Sequence, residues 1–275
     1  MPKARNFLVK QLYKDAKLLG PVDREIIEKL ADAWMDDKRN DLHRYEKIAP
    51  YLKSDSKILD MASGCGTFVF LGLKKSYDIY GIDPEKWKLE FNQLKIEDYK
   101  YPKEWINRFT LGVGESLPYE DNSFDIVSTY QTLEHVQDIP KCLSEMLRVV
   151  KKDGIMHIEC PDYRGTFEPH YAVPFLPLFP KKIAKLYLRF IGKNPDYLDS
   201  ISYTTKPSII KILQKKSKEK NIQLESIDMH QVNHYKNSDK SYFWSQTKFI
   251  ISRLFKKELS VHLIVKIKGK GYEVQ

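Results

Sequence analysis

The stretch Ile58-Leu-Asp-Met-Ala-Ser-Gly-Cys-Gly-Thr67 carries the clearest structural signal in this sequence. An apolar run ends in the acidic residue Asp60, and a turn that contains Gly64 and Gly66 follows directly. The two glycines allow a tight backbone turn and let a ligand approach without a Cβ in the way. A helical pattern resumes at Phe68, so the N-terminus of that helix offers free N–H groups to a bound group. The stretch predicts a strand, a ligand-binding turn and a helix.

Similar apolar runs recur along the chain, and helical patterns separate them. This alternation indicates βαβ units and a mostly parallel sheet, so we expect an α/β, Rossmann-like fold. The predicted strands are 57–59, 77–82, 109–113, 124–129, 155–160, 222–227 and 261–267. The predicted helices are 22–51, 68–73, 140–150, 181–191, 207–218 and 241–255, and Asp153-Gly154 is expected to form a turn.

The alternation of strands and helices stops after the fifth predicted strand, where prolines interrupt a run of aromatic and basic residues. We therefore interpret the chain as one domain that carries an insertion. The expected parts are a helical N-terminal cap (1–53), a cofactor-binding core (54–162), the insertion (163–206) and a C-terminal part of the sheet (207–275).

Composition narrows the class of protein. Of the 275 residues, 42% are hydrophobic and 30% are charged, and no apolar run is long enough to span a membrane. The basic start of the chain lacks the apolar core of a signal peptide. Cys65, Cys142 and Cys160 are far apart and form no C-x-x-C pair, which favours a reducing compartment and a cytoplasmic location. The net charge of +9 favours anionic partners or, alternatively, a lysine-rich solvated surface.

Acidic residues follow three of the predicted strands. Asp60, Asp83 and Glu115 would all lie at the carboxyl edge of a parallel sheet, where ligands bind. A carboxylate at Asp83 can accept both hydroxyl protons of a ribose, although an Asp before Pro84 can also simply begin a turn. Val69 stands where a dinucleotide fingerprint has its third glycine, and the P-loop lysine is absent. These features disfavour NAD, FAD and ATP.

Four ordered segments resemble the class I S-adenosylmethionine-dependent methyltransferases. They are the first-strand motif 58–67, the stretch 114–127, the loop 133–138 and the stretch 145–154, and the likeness covers about residues 56–162. The resemblance implies a Rossmann-like sheet, S-adenosylmethionine as cofactor and S-adenosylhomocysteine as product.

The resemblance also implies a set of cofactor contacts. The glycine turn would pass under the methionine portion, the first acidic residue would help to hold the ammonium group, and the second would bind the ribose. The third acidic residue would face the adenine amino group, and the end of the fourth strand would border the sulfonium. The implied residues are Asp60, Ala62, Gly64, Gly66, Asp83, Glu115, Ser116, Tyr130 and Gln131.

A sulfonium methyl is already activated, so the enzyme must align a nucleophile and remove its proton. His135, after the fourth strand, and His170, after the fifth, are the predicted bases because histidine titrates near neutral pH. Each has a plainer alternative, since His135 can brace its loop and His170 can be a surface residue. His157 alternates inside a strand and is expected to be buried. No metal site is expected, because Asp138, Glu159 and Asp162 show no metal-ligand spacing.

The insertion is expected to form the acceptor side of the site. Its run from Phe167 to Tyr203 looks like insertions in bacterial methyltransferases of capsule and O-antigen gene clusters, which implies a sugar hydroxyl acceptor that bears phosphate. Aromatic surface suits a sugar face, and clustered cations suit a diphosphate. The predicted acceptor-binding residues are Glu168, Tyr171, Lys181, Lys182, Lys185 and Arg189.

Other functions remain open at this stage. The basic helix 181–191 can also act as a lid, a solvated face or a surface that touches a membrane, in which case the protein would be peripheral to the inner membrane. A lipid or quinone acceptor, methylated on carbon or oxygen, is the main alternative, and a non-catalytic module that binds S-adenosylmethionine is another. Methylation of nucleic acid is disfavoured, because no N/D-P-P-Y/F tetrapeptide is present.

Overall fold

The computed structural model describes residues 2–20, 23–228 and 260–268. Within these ranges nine strands alternate with helices along the chain. The strands are β1 (Lys57–Met61), β2 (Asp78–Asp83), β3 (Phe109–Leu111), β4 (Phe124–Tyr130), β5 (Val150–Pro161), β6 (Phe167–Glu168), β7 (Val173–Pro174), β8 (Gln223–Asp228) and β9 (Ser260–Lys268).

Seven of these described strands form one sheet in the order β3-β2-β1-β4-β5-β9-β8. The five neighbouring strands β3, β2, β1, β4 and β5 pair in parallel. Strand β9 is antiparallel to both β5 and β8. The two central strands β1 and β4 are largely buried, as expected of parallel strands that helices cover on both faces. The prediction of a Rossmann-like, mostly parallel sheet is confirmed.

Helices cover both faces of the sheet. They are α1 (Lys3–Ala16), α2 (Arg24–Met35), α3 (Asp37–Ile48), α4 (Thr67–Lys74), α5 (Lys86–Tyr99), α6 (Ile139–Val149), α7 (Lys181–Phe190) and α8 (Lys206–Glu219). The single helix predicted over 22–51 is two helices, because Asp36 has an extended backbone between them. Helices α1 and α5 have no counterpart among the predicted helices. The helix predicted over 241–255 lies outside the described residues.

The turn predicted at Asp153-Gly154 is wrong, since both residues lie within the long strand β5. Asp153 has a φ of 61° and the pairing of β4 with β5 shifts its register nearby, which is the geometry of a β-bulge. A Cβ on Gly154 would lie 2.7 Å from the carbonyl oxygen of Asp125, so the close approach of the two strands requires glycine. Asp153-Gly154 therefore forms a bulge within β5 and does not connect two separate elements.

The N-terminal helices α1 and α2 pack on α5 beside the glycine turn. Their shared core buries Leu8, Ile27 and Phe91 together with Cys65 of the turn itself. An N-cap at Asp23 starts α2 through a hydrogen bond from the N–H of Glu25. The N-terminal helices therefore contact the glycine turn, where the cofactor is predicted to bind.

The insertion after β5 folds around a small apolar core of its own. The buried members of this core are Tyr163, Tyr171, Val173, Phe175, Ala184, Leu188, Leu198 and Ile201. The N–H of Ser202 donates to the carbonyl of Glu134 at 2.7 Å, which fixes the insertion to the loop between β4 and α6. The insertion thus lies at the carboxyl edge of the sheet, on the side of β4 and β5. Among the described helices, none has the length and apolar character that crossing a membrane requires.

Candidate active site

The glycine turn after β1 opens toward one side and is closed on the other. Ala62, Gly64 and Gly66 all have positive φ values, of 59°, 55° and 69°. A Cβ on Gly66 would lie 2.7 Å from the ring of Phe109, so only glycine fits there. A Cβ on Gly64 would meet nothing within 4 Å, so the turn leaves room for a ligand at that point.

Asp83, at the end of β2, holds this turn in place. Its Oδ2 accepts a hydrogen bond from the N–H of Gly64 at 2.9 Å, and its Oδ1 accepts one from the N–H of Glu85 at 3.0 Å. The ammonium of Lys88 lies 3.5 Å from Oδ2. The carboxylate is therefore oriented beside the turn, where the predicted contact with a ribose would be made.

Asp60 meets a partner that sequence reasoning missed. Its carboxylate accepts a hydrogen bond from the guanidinium of Arg44 in α3, which also binds Asp41 at 2.9 Å and the hydroxyl of Ser128 at 2.9 Å. Burial raises the pKa of Asp60 to about 6, against the lowering effect of Arg44. Oδ2 of Asp60 is buried and has no hydrogen-bond partner among the described residues, so its predicted contact with the cofactor's ammonium group stays a prediction. No sequence signal marks Arg44, because it is one of several charged residues in its helix.

Glu115 contacts the loop that carries His135. Its Oε1 accepts hydrogen bonds from the N–H groups of Gln137 at 2.8 Å and Asp138 at 3.3 Å. The N–H of Ser116 is used within its own turn, where it donates to the carbonyl of Val113. The predicted adenine contact of Glu115 stays a prediction, and the structure adds a bracing role.

Tyr130 and Gln131 lie where β4 ends. The ring of Tyr130 packs edge-on against His43 with a centroid distance of 5.5 Å, and the guanidinium of Arg44 lies 5.2 Å from the same ring. Gln131 has a φ of 52°, and its N–H donates to the carbonyl of Glu159 at 2.7 Å. Both residues are partly exposed at the carboxyl edge, the position predicted to border the sulfonium.

The structure brings the two predicted bases together. The Nε2 atoms of His135 and His170 lie 3.0 Å apart, and Nδ1 of His170 lies 2.7 Å from Oε1 of Glu168. Glu168 is fully buried and also accepts hydrogen bonds from the N–H of Tyr171 at 2.7 Å and the hydroxyl of Tyr163 at 3.1 Å. A continuous hydrogen-bonded series therefore runs from a buried carboxylate to the partly exposed ring of His135.

Glu134 completes this cluster, and sequence reasoning did not single it out. Its side chain is fully buried, and neither carboxylate oxygen has a hydrogen-bond partner among the described residues. Oε1 lies 3.9 Å from Nε2 of His135. Burial raises the pKa of Glu134 to about 7, and burial together with His170 lowers the pKa of His135 to about 4. Burial thus disfavours the charged form of both groups.

The four predicted phosphate-binding cations are not equivalent. Lys181 donates to the carbonyl of Ile201 at 2.6 Å, and Lys185 pairs with Asp199 at 2.5 Å, so both are engaged within the insertion. Lys182 and Arg189 are exposed. The acceptor contact of all four cations stays a prediction, and the structure adds that Lys181 and Lys185 have partners within the insertion.

Asp138, Glu159 and Asp162, for which no metal-ligand spacing was found, lie in three different places in the fold. Asp138 caps α6, Glu159 binds Lys47 and His262, and Asp162 binds Arg164, each in a different place. His157 is buried in β5 as expected, with Nδ1 3.0 Å from the hydroxyl of Ser128.

Comparisons with known proteins agree with this geometry. Residues 59–158 match a family described as a methyltransferase domain. The chain is 36% identical over 110 residues to an uncharacterized methyltransferase of Schizosaccharomyces pombe, in a match that spans 38% of this chain and 39% of that protein. It is 31% identical over 147 residues to a ubiquinone/menaquinone biosynthesis C-methyltransferase of Citrifermentans bemidjiense, which spans 50% of this chain and 60% of that protein.

Among solved structures, an S-adenosylmethionine-dependent methyltransferase from Mesorhizobium loti superposes with a TM-score of 0.53 and 10% sequence identity. The superposition covers 81% of this chain and 97% of that one, and it shows the shared fold. The matches to the two curated relatives span less than two thirds of their length. The matched family and the superposed neighbour are both described as methyltransferases, and the open approach at Gly64 and the oriented carboxylate of Asp83 fit the predicted S-adenosylmethionine.

Proposed function

We propose that this chain, whose fold and central motifs are those of a class I S-adenosylmethionine-dependent methyltransferase, methylates a hydroxylated ring of the quinol type. The hydrogen-bonded series from His135 through His170 to Glu168 carries this proposal. S-adenosylmethionine supplies an electrophilic methyl group on its sulfonium. The chain must therefore hold an acceptor at the carboxyl edge of the sheet and remove a proton from it.

The histidine pair is arranged to take that proton. Glu168 accepts a hydrogen bond from Nδ1–H of His170, which leaves a lone pair on Nε2 of that ring. Nε2 of His135 lies 3.0 Å from Nε2 of His170, and about one third of the His135 side chain is exposed. A hydroxyl placed beside the pair can lose its proton to the imidazoles, and the buried Glu168 stabilises the resulting positive charge.

For a quinol, loss of the hydroxyl proton raises the electron density of the neighbouring ring carbon. That carbon forms a bond to the methyl group as the bond from sulfur to methyl breaks. The proton of the attacked carbon then passes to solvent water, and the ring oxygen regains its proton from the imidazolium. The relative from Citrifermentans bemidjiense is named for this kind of reaction, since it is a C-methyltransferase of quinone biosynthesis. The likeness supports a quinol acceptor for this chain.

The outer face of α7 also supports an acceptor from a lipid phase. Ile183, Leu186 and Phe190 are 54%, 62% and 90% exposed, and they share one side of the helix. Lys182 and Arg189 flank this side. Exposed apolar residues beside cations are typical of helices that lie on an anionic membrane surface.

A sugar hydroxyl is the second candidate, and an aromatic wall beside the histidines favours it. The ring of Tyr197 lies 5.8 Å from His170 and 6.3 Å from His135, and Tyr171 packs against Tyr197 at 6.3 Å. Sugar faces pack well on such rings. Here the oxygen itself would take the methyl group after losing its proton to the histidine pair.

Release of S-adenosylhomocysteine, measured with quinols and with nucleotide sugars as acceptors, tests the function. His135→Ala and His170→Ala should each lower turnover by about 10²–10⁴ while calorimetry shows unchanged affinity for S-adenosylhomocysteine. Lys152→Ala, at the opposite edge of the sheet, serves as the control. Full turnover in both histidine variants would refute the proposed base. Cofactor binding without product from either acceptor class would favour a non-catalytic module.

A further inference from the structure

Three side chains at the carboxyl edge of the sheet bring metal-binding atoms together. One carboxylate oxygen of Glu134 and one ring nitrogen each of His135 and His170 lie within 4.8 Å of one another. We infer that Glu134, His135 and His170 form a binding site for a divalent transition-metal ion, for which Zn²⁺ is the natural probe. Metal binding goes beyond the proposed function and does not depend on the identity of the acceptor.

The spacing of the two rings fits a shared ion. Two nitrogens about 2.1 Å from one metal, at roughly 90–110° to each other, lie about 3.0–3.4 Å apart. The Nε2 atoms of His135 and His170 are 3.0 Å apart. The nearer oxygen of Glu134 is 3.9 Å from Nε2 of His135, and the three ligand atoms lie within 4.8 Å of one another, so the carboxylate needs to move by about 1–1.5 Å to join the two rings around one ion.

Glu168 acts on His170 as outer-shell carboxylates act on metal-binding histidines. It accepts the hydrogen bond from Nδ1–H at 2.7 Å, which fixes the tautomer and turns the lone pair of Nε2 toward His135. Glu168 is itself held by the N–H of Tyr171 and the hydroxyl of Tyr163. The orientation of the ring is therefore imposed by the fold before any ion binds.

Glu134 supplies an independent indication. A fully buried carboxylate normally has hydrogen-bond partners, yet neither of its oxygens has one among the described residues. Leaving a buried polar group unsatisfied is costly. A cation between Glu134 and the histidines would satisfy the carboxylate and use both lone pairs of the facing rings.

The side chains also leave an open coordination position. About one third of the His135 side chain and one sixth of the His170 side chain are exposed, whereas Glu134 is enclosed. Two histidines and one glutamate with an open position form a ligand set that suits catalytic zinc. The consequence for catalysis rests on the proposed function: an acceptor oxygen bound to the ion would lose its proton to solvent water more readily, and the histidines would then hold the ion instead of taking the proton.

The test uses the full chain without a histidine tag, stripped of metal by a chelator. Calorimetry and elemental analysis should show one equivalent of Zn²⁺, and Co²⁺ should give a visible absorption band of imidazole-bound, low-coordinate cobalt. Glu134→Gln and the double variant His135→Ala/His170→Ala should lose the bound equivalent and the band. Glu168→Gln should weaken Zn²⁺ binding by about 10–100-fold. Glu120→Gln, which removes an exposed carboxylate, is the matched control and should bind as the parent does.

Each variant is also checked for unchanged affinity toward S-adenosylhomocysteine, so that loss of metal is not mistaken for loss of the fold. The inference is overturned if the intact chain binds no Zn²⁺ at micromolar concentration, or if the double variant keeps the full equivalent. Because binding is scored without methyl donor or acceptor, failure of the metal site and failure of the proposed function give separate results.

Discussion

The guanidinium of Arg44 lies against the carboxylate of Asp60, and only 4% and 1% of these side chains are exposed. Arg44 comes from α3, Asp60 from the end of β1, and the same guanidinium reaches Ser128 of β4 and Asp41. One buried cation therefore joins the N-terminal helices to the two central strands. This pair fixes the position of the cap over the edge of the sheet where the cofactor contacts are predicted.

Removing Arg44 should be strongly destabilising. Arg44→Ala removes the cationic partner of the buried carboxylates Asp60 and Asp41, which typically costs about 3–5 kcal/mol. We expect a loss of that size in the free energy of unfolding measured by urea denaturation. Arg24→Ala is the matched control, since its partner Glu28 lies on the surface and such pairs contribute about 0–1 kcal/mol. Equal losses in the two variants would contradict the role assigned to Arg44.

Asp83→Ala should weaken cofactor binding by roughly 1.5–3 kcal/mol, because it removes hydrogen bonds to a charged group. The structure adds a second cause, since Asp83 also accepts the hydrogen bond that holds Gly64. Calorimetry with S-adenosylhomocysteine measures the change, and NAD should give no signal with either protein. Asp78→Ala removes a carboxylate at the other end of β2 and should leave the affinity unaltered. An unchanged dissociation constant of Asp83→Ala for S-adenosylhomocysteine would contradict the predicted contact of Asp83 with the ribose.

Glu145 anchors the loop between β3 and β4 to α6. Its carboxylate pairs with Arg148 at 2.7 Å and accepts a hydrogen bond from the N–H of Leu117 at 2.9 Å. Arg148 in turn donates to the carbonyls of Leu117 and Tyr119. The hydrogen bond from Arg148, followed by that from Leu117, holds the pKa of Glu145 below its usual value.

This lowered pKa predicts a pH-dependent contribution to stability. A carboxylate with a lower pKa in the folded state stabilises the fold above its unfolded pKa of about 4.3, and the effect is lost as the pH falls through the folded pKa. Glu145→Gln should therefore lower the free energy of unfolding by about 1 kcal/mol at pH 7, a difference that shrinks below about pH 4. Glu120→Gln, on the same loop, should show a small difference at every pH. A difference for Glu145→Gln that persists undiminished at pH 3 would exclude this explanation.

Much of the fold could be predicted from the sequence because its signals are local. Apolar runs that end in acidic residues gave the strand ends, and the positive φ values of Gly64 and Gly66 match the tight turn that two glycines permit. Helix α5 was missed because its apolar residues are scattered around the helix and give no clear face. Its burial depends on α1 and on the turn, which are contacts that a local pattern does not show.

The site could be predicted only in part, and for a related reason. His135 and His170 were found from their residue type and their positions after neighbouring strands, whereas their contact depends on how the insertion folds back. Glu134 was missed because a glutamate beside a histidine is ordinary in sequence and becomes unusual only when it is buried without a partner. Arg44 was missed because its partners Asp60 and Ser128 are distant in sequence, and no local pattern indicates a contact of that kind.

The outer face of α7 distinguishes the two acceptor classes. Lys182→Gln/Arg189→Gln removes its exposed cations without touching Lys181 and Lys185, which hold the insertion together. If the face lies on a membrane, this variant should bind vesicles of anionic lipid about 10-fold more weakly or worse, since each cation near such a surface contributes about 1 kcal/mol. Phe190→Ser should weaken the same binding, because it removes a side chain that is 90% exposed and apolar.

The matched control for this charge change is Lys75→Gln/Lys152→Gln, which removes two exposed cations at the opposite edge of the sheet. It lowers the net charge equally, so an equal loss of vesicle binding would mean that overall charge, and not the face of α7, governs attachment. Unchanged vesicle binding together with a higher KM for a nucleotide sugar would instead favour the sugar hydroxyl. In that case the two cations contact a diphosphate, and the increase in KM should grow smaller at high salt, where screening already weakens the contact in the parent protein.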